Sequence, residues 1–261
     1  MSFRIKMIIP VPVPPEALDA FASQVPAALR RSDVKLDFRC AEKGGTALDS
    51  PYEGVIADAF CLAAGMNAEA EGYSAVCINS MSDSGVAALR SRLSIPVFGA
   101  AAPTYHLAAQ LGRKFSILSM WDNWRWLYDK VLGEQKLADR VASIRTIGVP
   151  PDTSELLAGK EDMVFPKLLE AARDAVEQDG ADVLVLGSTT MHQSHAFLSE
   201  QLDVPVLNPG LVGLKTCEMA LDLGLSHSKS TYMSPRKTID DVFPTSLPGK
   251  AGGAQLQESV Q

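Results

Sequence analysis

Apolar residues along this chain come in two kinds of stretch, and the two kinds alternate. Ile5 to Ile9, Ala75 to Asn79 and Val183 to Leu186 are near-continuous apolar runs of strand length. A half-solvated strand would show a polar residue at every second position, so these runs read as strands buried on both faces of a parallel sheet. Between them lie longer stretches with helical spacing. Pro14-Pro15-Glu16 opens a helix predicted to reach Arg31, since proline suits a first turn. A second runs from Ser50-Pro51-Tyr52-Glu53 to about Gly72, and Ser82-Asp83-Ser84-Gly85 caps a third that ends at Leu93. Val34 to Cys40 and Ile95 to Gly99 read as further strands.

The chain then repeats itself. Lys114 to Leu118 mirrors the first strand, Trp121 to Leu132 reads as a helix, Ala142 to Ile147 as a strand, and Glu161 to Gln178 as a long helix. After Val183 to Leu186, a loop from Ser188 leads into a helix and then to a closing strand, Val204 to Leu207. Ser188 follows Ser80 by 108 residues, and Pro205 follows Pro96 by 109. A half-chain period with one residue of slippage predicts two similar lobes rather than a solenoid. The fold class is therefore α/β: two similar lobes, each a short, mostly parallel sheet flanked by helices. Residues 1–101 with 209–243 form lobe one, because the helix from Gly210 to about Asp222 returns to it, and residues 102–208 form lobe two. Residues 244–261, with Pro244, Pro248, Gly249, Gly252 and Gly253, are a polar tail.

Composition narrows the function. Of 261 residues, 46% are hydrophobic and 21% charged, which excludes a largely disordered chain. The net charge is −7 with no Lys/Arg cluster, which argues against nucleic acid and against an acidic membrane surface. The chain opens directly on a strand pattern and no apolar run approaches the ~20 residues of a membrane helix, so the expectation is a cytoplasmic protein. The four cysteines, Cys40, Cys61, Cys77 and Cys217, form no CxxC pair and lie at no metal-ligand spacing from the histidines. They read as reduced core thiols, with no disulfide framework and no metal site expected. No phosphate-binding glycine motif is present, so no cofactor is expected.

In open α/β sheets ligands bind beyond the carboxyl ends of the strands. Those ends carry Pro10-Val11-Pro12 and Asn79 to Gly85 in lobe one, and Ser119-Met120-Trp121 and Gly187 to His192 in lobe two. Both cleft loops are rich in hydroxyls and precede a helix, which suits them to cradle an anion on backbone N–H groups. Ser82, Asp83 and Ser84 read equally as helix caps. His192 is the candidate proton carrier because imidazole titrates near neutrality, although it also reads as a structural histidine; His195 is its near neighbour. Tyr52 either donates to a substrate oxygen or packs. His106 lies in a helical pattern and reads as structural. All three tryptophans fall in Trp121, Trp124 and Trp126; Trp121 is placed to wall the cleft, and the others pack in the core or at a subunit interface.

These segments also carry a family likeness. Ser50-Pro51-Tyr52-Glu53, Glu71 to Val76, Asp83-Ser84-Gly85, Ile95 to Gly99, Phe115 to Leu118, Gly180 to Gly187, Val204-Pro205-Val206 and Leu225 to Lys229 together resemble the aspartate/glutamate/hydantoin racemase superfamily, nearest its hydantoin racemase branch. The likeness spans roughly residues 3 to 235 and is specific as a set. It implies that the two lobes are related by a pseudo-twofold axis with a cofactor-free site between them, where two cysteines act as opposed acid and base on one carbon, and it implies a homo-oligomer. This chain departs from the pattern at those two positions, which hold Ser80 and Ser188. The usual Asn-Pro-Asn of the first strand end is Pro10-Val11-Pro12. A hydroxyl is a much poorer proton carrier than a thiol without an adjacent base. Paired Cys→Ser replacement, a serine-type branch, and a relative performing another reaction all fit.

The expectation is a racemase- or isomerase-like enzyme acting by proton transfer on a small carboxylate or cyclic ureide. Ser80, Ser188 and His192 are the catalytic candidates. Ser82, Asp83, Ser84, Thr189, Thr190, Met191, Tyr52, Pro10 and Trp121 are the binding candidates. The alternatives are a decarboxylase, lyase or hydrolase on the same cradle, and a non-catalytic small-anion binding protein.

Overall fold

The computed structural model describes residues 2–152 and 158–243. The tail expected at 244–261 lies outside the described residues. Two four-stranded parallel sheets form the frame. The first contains β1 (Phe3–Ile9), β2 (Val34–Cys40), β3 (Ala75–Ile78) and β4 (Val97–Gly99) in the order β2-β1-β3-β4. The second contains β5 (Phe115–Ser119), β6 (Val141–Thr146), β7 (Val183–Leu186) and β8 (Val206–Leu207) in the order β6-β5-β7-β8. The strand order is the same in both halves, and β7 lies 108 residues after β3 at each of its four positions. All residues of β3, β5 and β7 are buried, and β3 and β7 accordingly read as unbroken apolar runs, while β5 buries Ser116 and Ser119 as well.

Helices cover the sheets: α1 (Pro15–Ala22), α2 (Pro51–Gly65), α3 (Val86–Arg92) and α4 (Ala101–Leu111) in the first half. In the second half are α5 (Arg125–Gln135), α6 (Glu161–Glu177), α7 (Ser194–Gln201) and α8 (Pro209–Asp222). Several are shorter than the sequence pattern suggests. The helix expected to Arg31 stops at Ala22, because Pro26 offers no N–H to continue the ladder; a single 3-10 turn, Ala27–Leu29, follows. The helix expected to Gly72 stops at Gly65, and tight turns lead to Gly72, whose φ of +78° reverses the chain into β3. The strand expected from Val204 begins only at Val206, after Pro205.

The two halves are joined through helices. α8 packs on β3, β4 and α4, and α4 in turn packs on α5 and β7. Gly213 of α8 allows that approach: a Cβ there would lie 3.1 Å from Gly99 O and 3.2 Å from Cys77 Sγ. Tyr105 of α4 stacks on Phe115 of β5 at 5.6 Å between ring centroids. No helix among the described residues is long and apolar enough to cross a membrane.

After α8 the chain runs back over the open edge of the first sheet. Val97 N–H donates to His227 Nε2 at 2.8 Å, and Lys229 Nζ donates to the carbonyls of Arg90 at 2.7 Å and Leu93 at 2.6 Å, at the end of α3. Unpaired edge groups and helix-end carbonyls are thereby satisfied. Burial, with the Arg90 charge nearby, pushes the His227 imidazole down to about 4.

Candidate active site

β3 and β7 end at the same level of their sheets, and each is followed directly by a short loop carrying hydroxyls. In the first loop Ser80 Oγ accepts from Ser82 N–H at 3.3 Å and lies 3.0 Å from Ser82 Oγ, which lies 2.8 Å from Ser84 Oγ. In the second, Ser188 Oγ accepts from Thr190 N–H at 3.2 Å and lies 2.9 Å from Thr190 Oγ1. Each serine thus bonds the amide and the hydroxyl two residues on, the local turn that short hydroxyl side chains favour. Thr189 Oγ1 donates across the halves to Asn79 O at 3.1 Å and ties the loops together.

Ser80 and Ser188 line one cavity with about 50 Å³ of water-accessible space. Pro10, Thr189 and Thr190 line it as well, with Asn79 and Gly187 at the strand ends. The remaining wall is mostly apolar: Ile9, Val11, Phe21, Leu48, Met81, Trp124 and Leu127. Among the described residues, those lining the cavity include no Asp, Glu, His, Lys, Arg or Cys.

A loop covers this cavity. Thr46, Ala47 and Leu48 line it, and Leu48 has φ of +54°. The Glu53 carboxylate accepts from Ala47 N–H at 3.2 Å and from Leu48 N–H at 2.6 Å. From the other half, Trp124 Nε1 donates to Ala47 O at 2.7 Å and Trp126 Nε1 to Leu48 O at 3.3 Å. The Trp126 ring lies where a Cβ of Gly54 would be, 2.3 Å from that position, so glycine is what lets the indole reach the loop. A space of this size holds only a few waters, so a ligand much larger than that enters by displacing the loop.

Other candidate residues lie elsewhere. Asp83 does not cap the helix that follows it. That helix, α3, begins after Gly85, whose φ is +70° and whose N–H donates to Asp58 at 2.8 Å. Asp83 instead accepts from Ala101 N–H at 2.8 Å and Ala102 N–H at 2.9 Å, capping α4 from a distance. Burial pushes its carboxyl up to about 6, with the two N–H bonds pulling the other way. Ser82 and Ser84 are buried in the hydroxyl chain and do not line the cavity. Met191 is wholly buried in the core. Tyr52 is 75% exposed. Trp121 packs on the core and Trp124 takes the place on the cavity wall.

His192 lies behind the second loop. Its Nδ1 is 3.0 Å from Thr189 O, and Nε2 is 3.3 Å from Ser23 Oγ. Burial lowers its pKa, with the Thr189 carbonyl opposing. It does not line the cavity, and His195 is bound to Val206 O at the edge of the second sheet. Several N–H groups expected to cradle an anion are already engaged, those of Ser82, Gly85 and Thr190 among them. Cys61, Cys77 and Cys217 are buried; Cys77 is held as a thiol by its contact with Cys217 and by burial, and Cys61 by burial. Among the described residues no group of three or more His, Cys, Asp or Glu is placed to hold a metal ion.

The wall residues Phe21, Leu48, Trp124 and Leu127 were not placed at the cavity by sequence reasoning; Trp124 was expected in the core or at a subunit interface. They come from a helix, a loop and the opposite half, and no local motif marks them. Asn79 had a signal, its position as the last residue of a buried strand.

A duplicated parallel frame with matched hydroxyls at equivalent strand ends defines a pseudosymmetric two-lobed α/β enzyme. The chain belongs to the Asp/Glu/Hydantoin racemase family, whose model matches residues 16–217. It is 29% identical over 210 residues to a hydantoin racemase of Pseudomonas sp. (strain NS671), covering 79% of this chain and 82% of that one. Its fold is similar to that of an allantoin racemase from Klebsiella pneumoniae, with a TM-score of 0.82 at 24% identity, covering 91% of this chain and 95% of that one. It is also similar to that of an allantoin racemase from Pseudomonas fluorescens, at 0.79 and 21%, covering 90% and 98%.

Proposed function

We propose that this chain racemises a small, uncharged cyclic ureide of the hydantoin type, with Ser80 and Ser188 working from opposite sides of one carbon. The observation that carries the reading is the equivalence of the two serines. They stand at matching strand ends, 108 residues apart, each held by the residue two positions on, and both line one cavity. Racemisation requires that symmetry, because a proton leaves one face and another arrives on the opposite face.

The wall chemistry favours a neutral substrate. A carboxylate buried among apolar side chains without a cation loses hydration that nothing restores. A ureide ring loses less, and the one ring carbonyl beside the reacting carbon draws charge from it as the proton leaves. The hydroxyls of Ser80, Ser188 and Thr190 are donors for the oxygen on which that charge collects. The exchange balances when one serine oxygen enters ionised and the other protonated: the first takes the proton from carbon, the second gives its own to the opposite face, and the charge passes from one serine to the other, with the Ser82 and Thr190 hydroxyls within hydrogen-bond distance to donate to the charged oxygen. His192 lies behind this arrangement and acts on it through the Thr189 backbone.

The test is incubation of one enantiomer of 5-benzylhydantoin in D2O, followed by optical rotation and mass spectrometry. The expected result is loss of rotation with one deuterium gained, above the protein-free rate, and its disappearance in Ser80→Ala and Ser188→Ala. Mass fragments would point instead to a lyase or hydrolase. A second reading, binding without turnover, is favoured by the absence of a titratable group among the described lining residues. It predicts ligand-dependent thermal stabilisation with no deuterium gain.

A further inference from the structure

The hydroxyls account for one side of the cavity and leave one buried carboxamide on its wall, that of Asn79, without a task. Asn79, the residue before Ser80, lines the cavity and is fully buried, yet neither its Nδ2 nor its Oδ1 has a partner. Gln24 is 3% exposed; its Nε2 donates to Phe21 O at 2.8 Å, and its Oε1 has no partner. The two amides share one small space over the first turn of α8. A Cβ at Gly210 would lie 1.7 Å from Gln24 Oε1 and 2.9 Å from Asn79 Oδ1. Glycine at 210 is what makes room for both. The backbone of Asn79 is fixed on both sides, its N–H donating to Ile8 O at 2.8 Å and its carbonyl accepting from Thr189.

Buried side-chain amides in folded proteins are nearly always hydrogen-bonded, so an unpaired one at a cavity wall points to a partner that arrives with the ligand. The two orphaned atoms of Asn79 say what that partner carries. One is a carbonyl oxygen, which only accepts, and one is an amide nitrogen, which only donates. We propose that Asn79 is the specificity-determining residue of this site, pairing with an N–H/C=O edge of the ligand. A ligand N–H reaches Asn79 Oδ1 and Asn79 Nδ2 reaches a ligand carbonyl, while Gln24 packs behind it, away from the cavity lining. A carboxylate has acceptors only and has nothing to give the Asn79 oxygen. Discrimination of this kind is strong, because the wrong ligand leaves buried polar groups unpaired.

This inference rests on the previous reading only in taking this cavity as the binding site. The experiment uses two probes sharing one apolar group: 5-benzylhydantoin, with a donor–acceptor edge, and 2-benzylsuccinate, with carboxylates. Calorimetric titration of the intact chain is expected to give at least tenfold tighter binding of the hydantoin. Asn79→Leu keeps the size of the side chain and removes both orphaned atoms. It is expected to lose at least tenfold in hydantoin affinity, appearing in KM more than in kcat, while its melting temperature holds or rises. Asn79→Asp replaces the donor with an acceptor and is expected to lose hydantoin binding too, which covers the case in which the leucine variant does not fold. Unchanged hydantoin affinity in either folded variant overturns the proposal. So does wild-type protein that binds neither probe, or both equally. Hydantoin bound through Asn79 without deuterium exchange refutes the racemase reading and leaves this assignment standing. Exchange that is indifferent to Asn79 does the reverse.

Discussion

Substituting Asp83 tests whether burial or the end of α4 controls a carboxylate that sequence patterns assign to the wrong helix. Asp83 accepts two N–H bonds from Ala101 and Ala102 and sits with its carboxylate against Gly99. Those bonds favour the charged form, and burial disfavours it. Burial dominates, raising the pKa from 3.8 to about 6. A carboxyl whose folded pKa lies above its unfolded value contributes stability that is complete below the unfolded pKa and is lost as pH rises through the folded one. Linkage over these values makes the folded state about 1.4 kcal/mol more stable at pH 5 than at pH 8 from this group alone. Asp83→Asn keeps the shape and one acceptor but does not titrate, and it leaves one helix N–H without its carboxylate oxygen, a loss of about 1–3 kcal/mol. Other titrating groups are shared by the two proteins and cancel in the difference. Urea unfolding of both at pH 8, 6.5 and 5 is therefore expected to show a gap that widens by about 1.4 kcal/mol as pH falls. A constant gap would show that Asp83 does not titrate in this range. A gap that narrows on acidification would show that the α4 N-terminus, rather than burial, sets its charge, and would refute the reasoning.

Three further outcomes follow from the packing. Replacing both latch tryptophans, Trp124→Phe with Trp126→Phe, strips Ala47 O and Leu48 O of their donors and is expected to cost about 1 kcal/mol each; faster proteolysis between residues 43 and 50 checks it, and unchanged cleavage would show that Glu53 alone holds the loop. Gly54→Ala puts a methyl 2.3 Å from the Trp126 ring, so a loss of about 1–3 kcal/mol is expected in a thermal melt. His227 has a folded pKa of about 4, below the ordinary 6.5, so its contribution is present above pH 6.5 and is lost as pH falls toward 4. With a discount for its partial exposure, about 1 kcal/mol should disappear between pH 7 and 5, and His227→Gln should flatten that part of the stability profile.

Much of this molecule was legible along the chain. The alternation of buried runs with helical stretches specified a parallel α/β frame, because a strand covered on both faces cannot carry regular polar positions. The 108-residue spacing specified the duplication and put Ser80 and Ser188 at equivalent strand ends, at the mouth of the sheet; their candidacy as an acid–base pair came from the family resemblance. Helix ends were less legible wherever a proline or a left-handed glycine intervened, as at Pro26 and Gly72.

What only the tertiary structure decided is which neighbours each polar residue meets. Asp83 reads locally as a cap for the helix three residues on, and the fold spends it on a helix eighteen residues on, beside Gly99. His192 looks like a cleft base by its position after Ser188, and the turn carries its ring toward Ser23, 169 residues away in sequence. Tyr52 points to solvent because the buried face of α2 is set by Gly54, Ala57 and Cys61. The cavity's cover, a loop of one half held by two indoles of the other, depends on contacts 77 and 78 residues apart. Side-chain periodicity records which face of an element is buried; it carries no information about what the opposing surface presents. For that reason the serines could be read from the sequence alone, whereas the unpaired amides of Asn79 and Gln24 became visible only when β3, α1 and α8 were brought together.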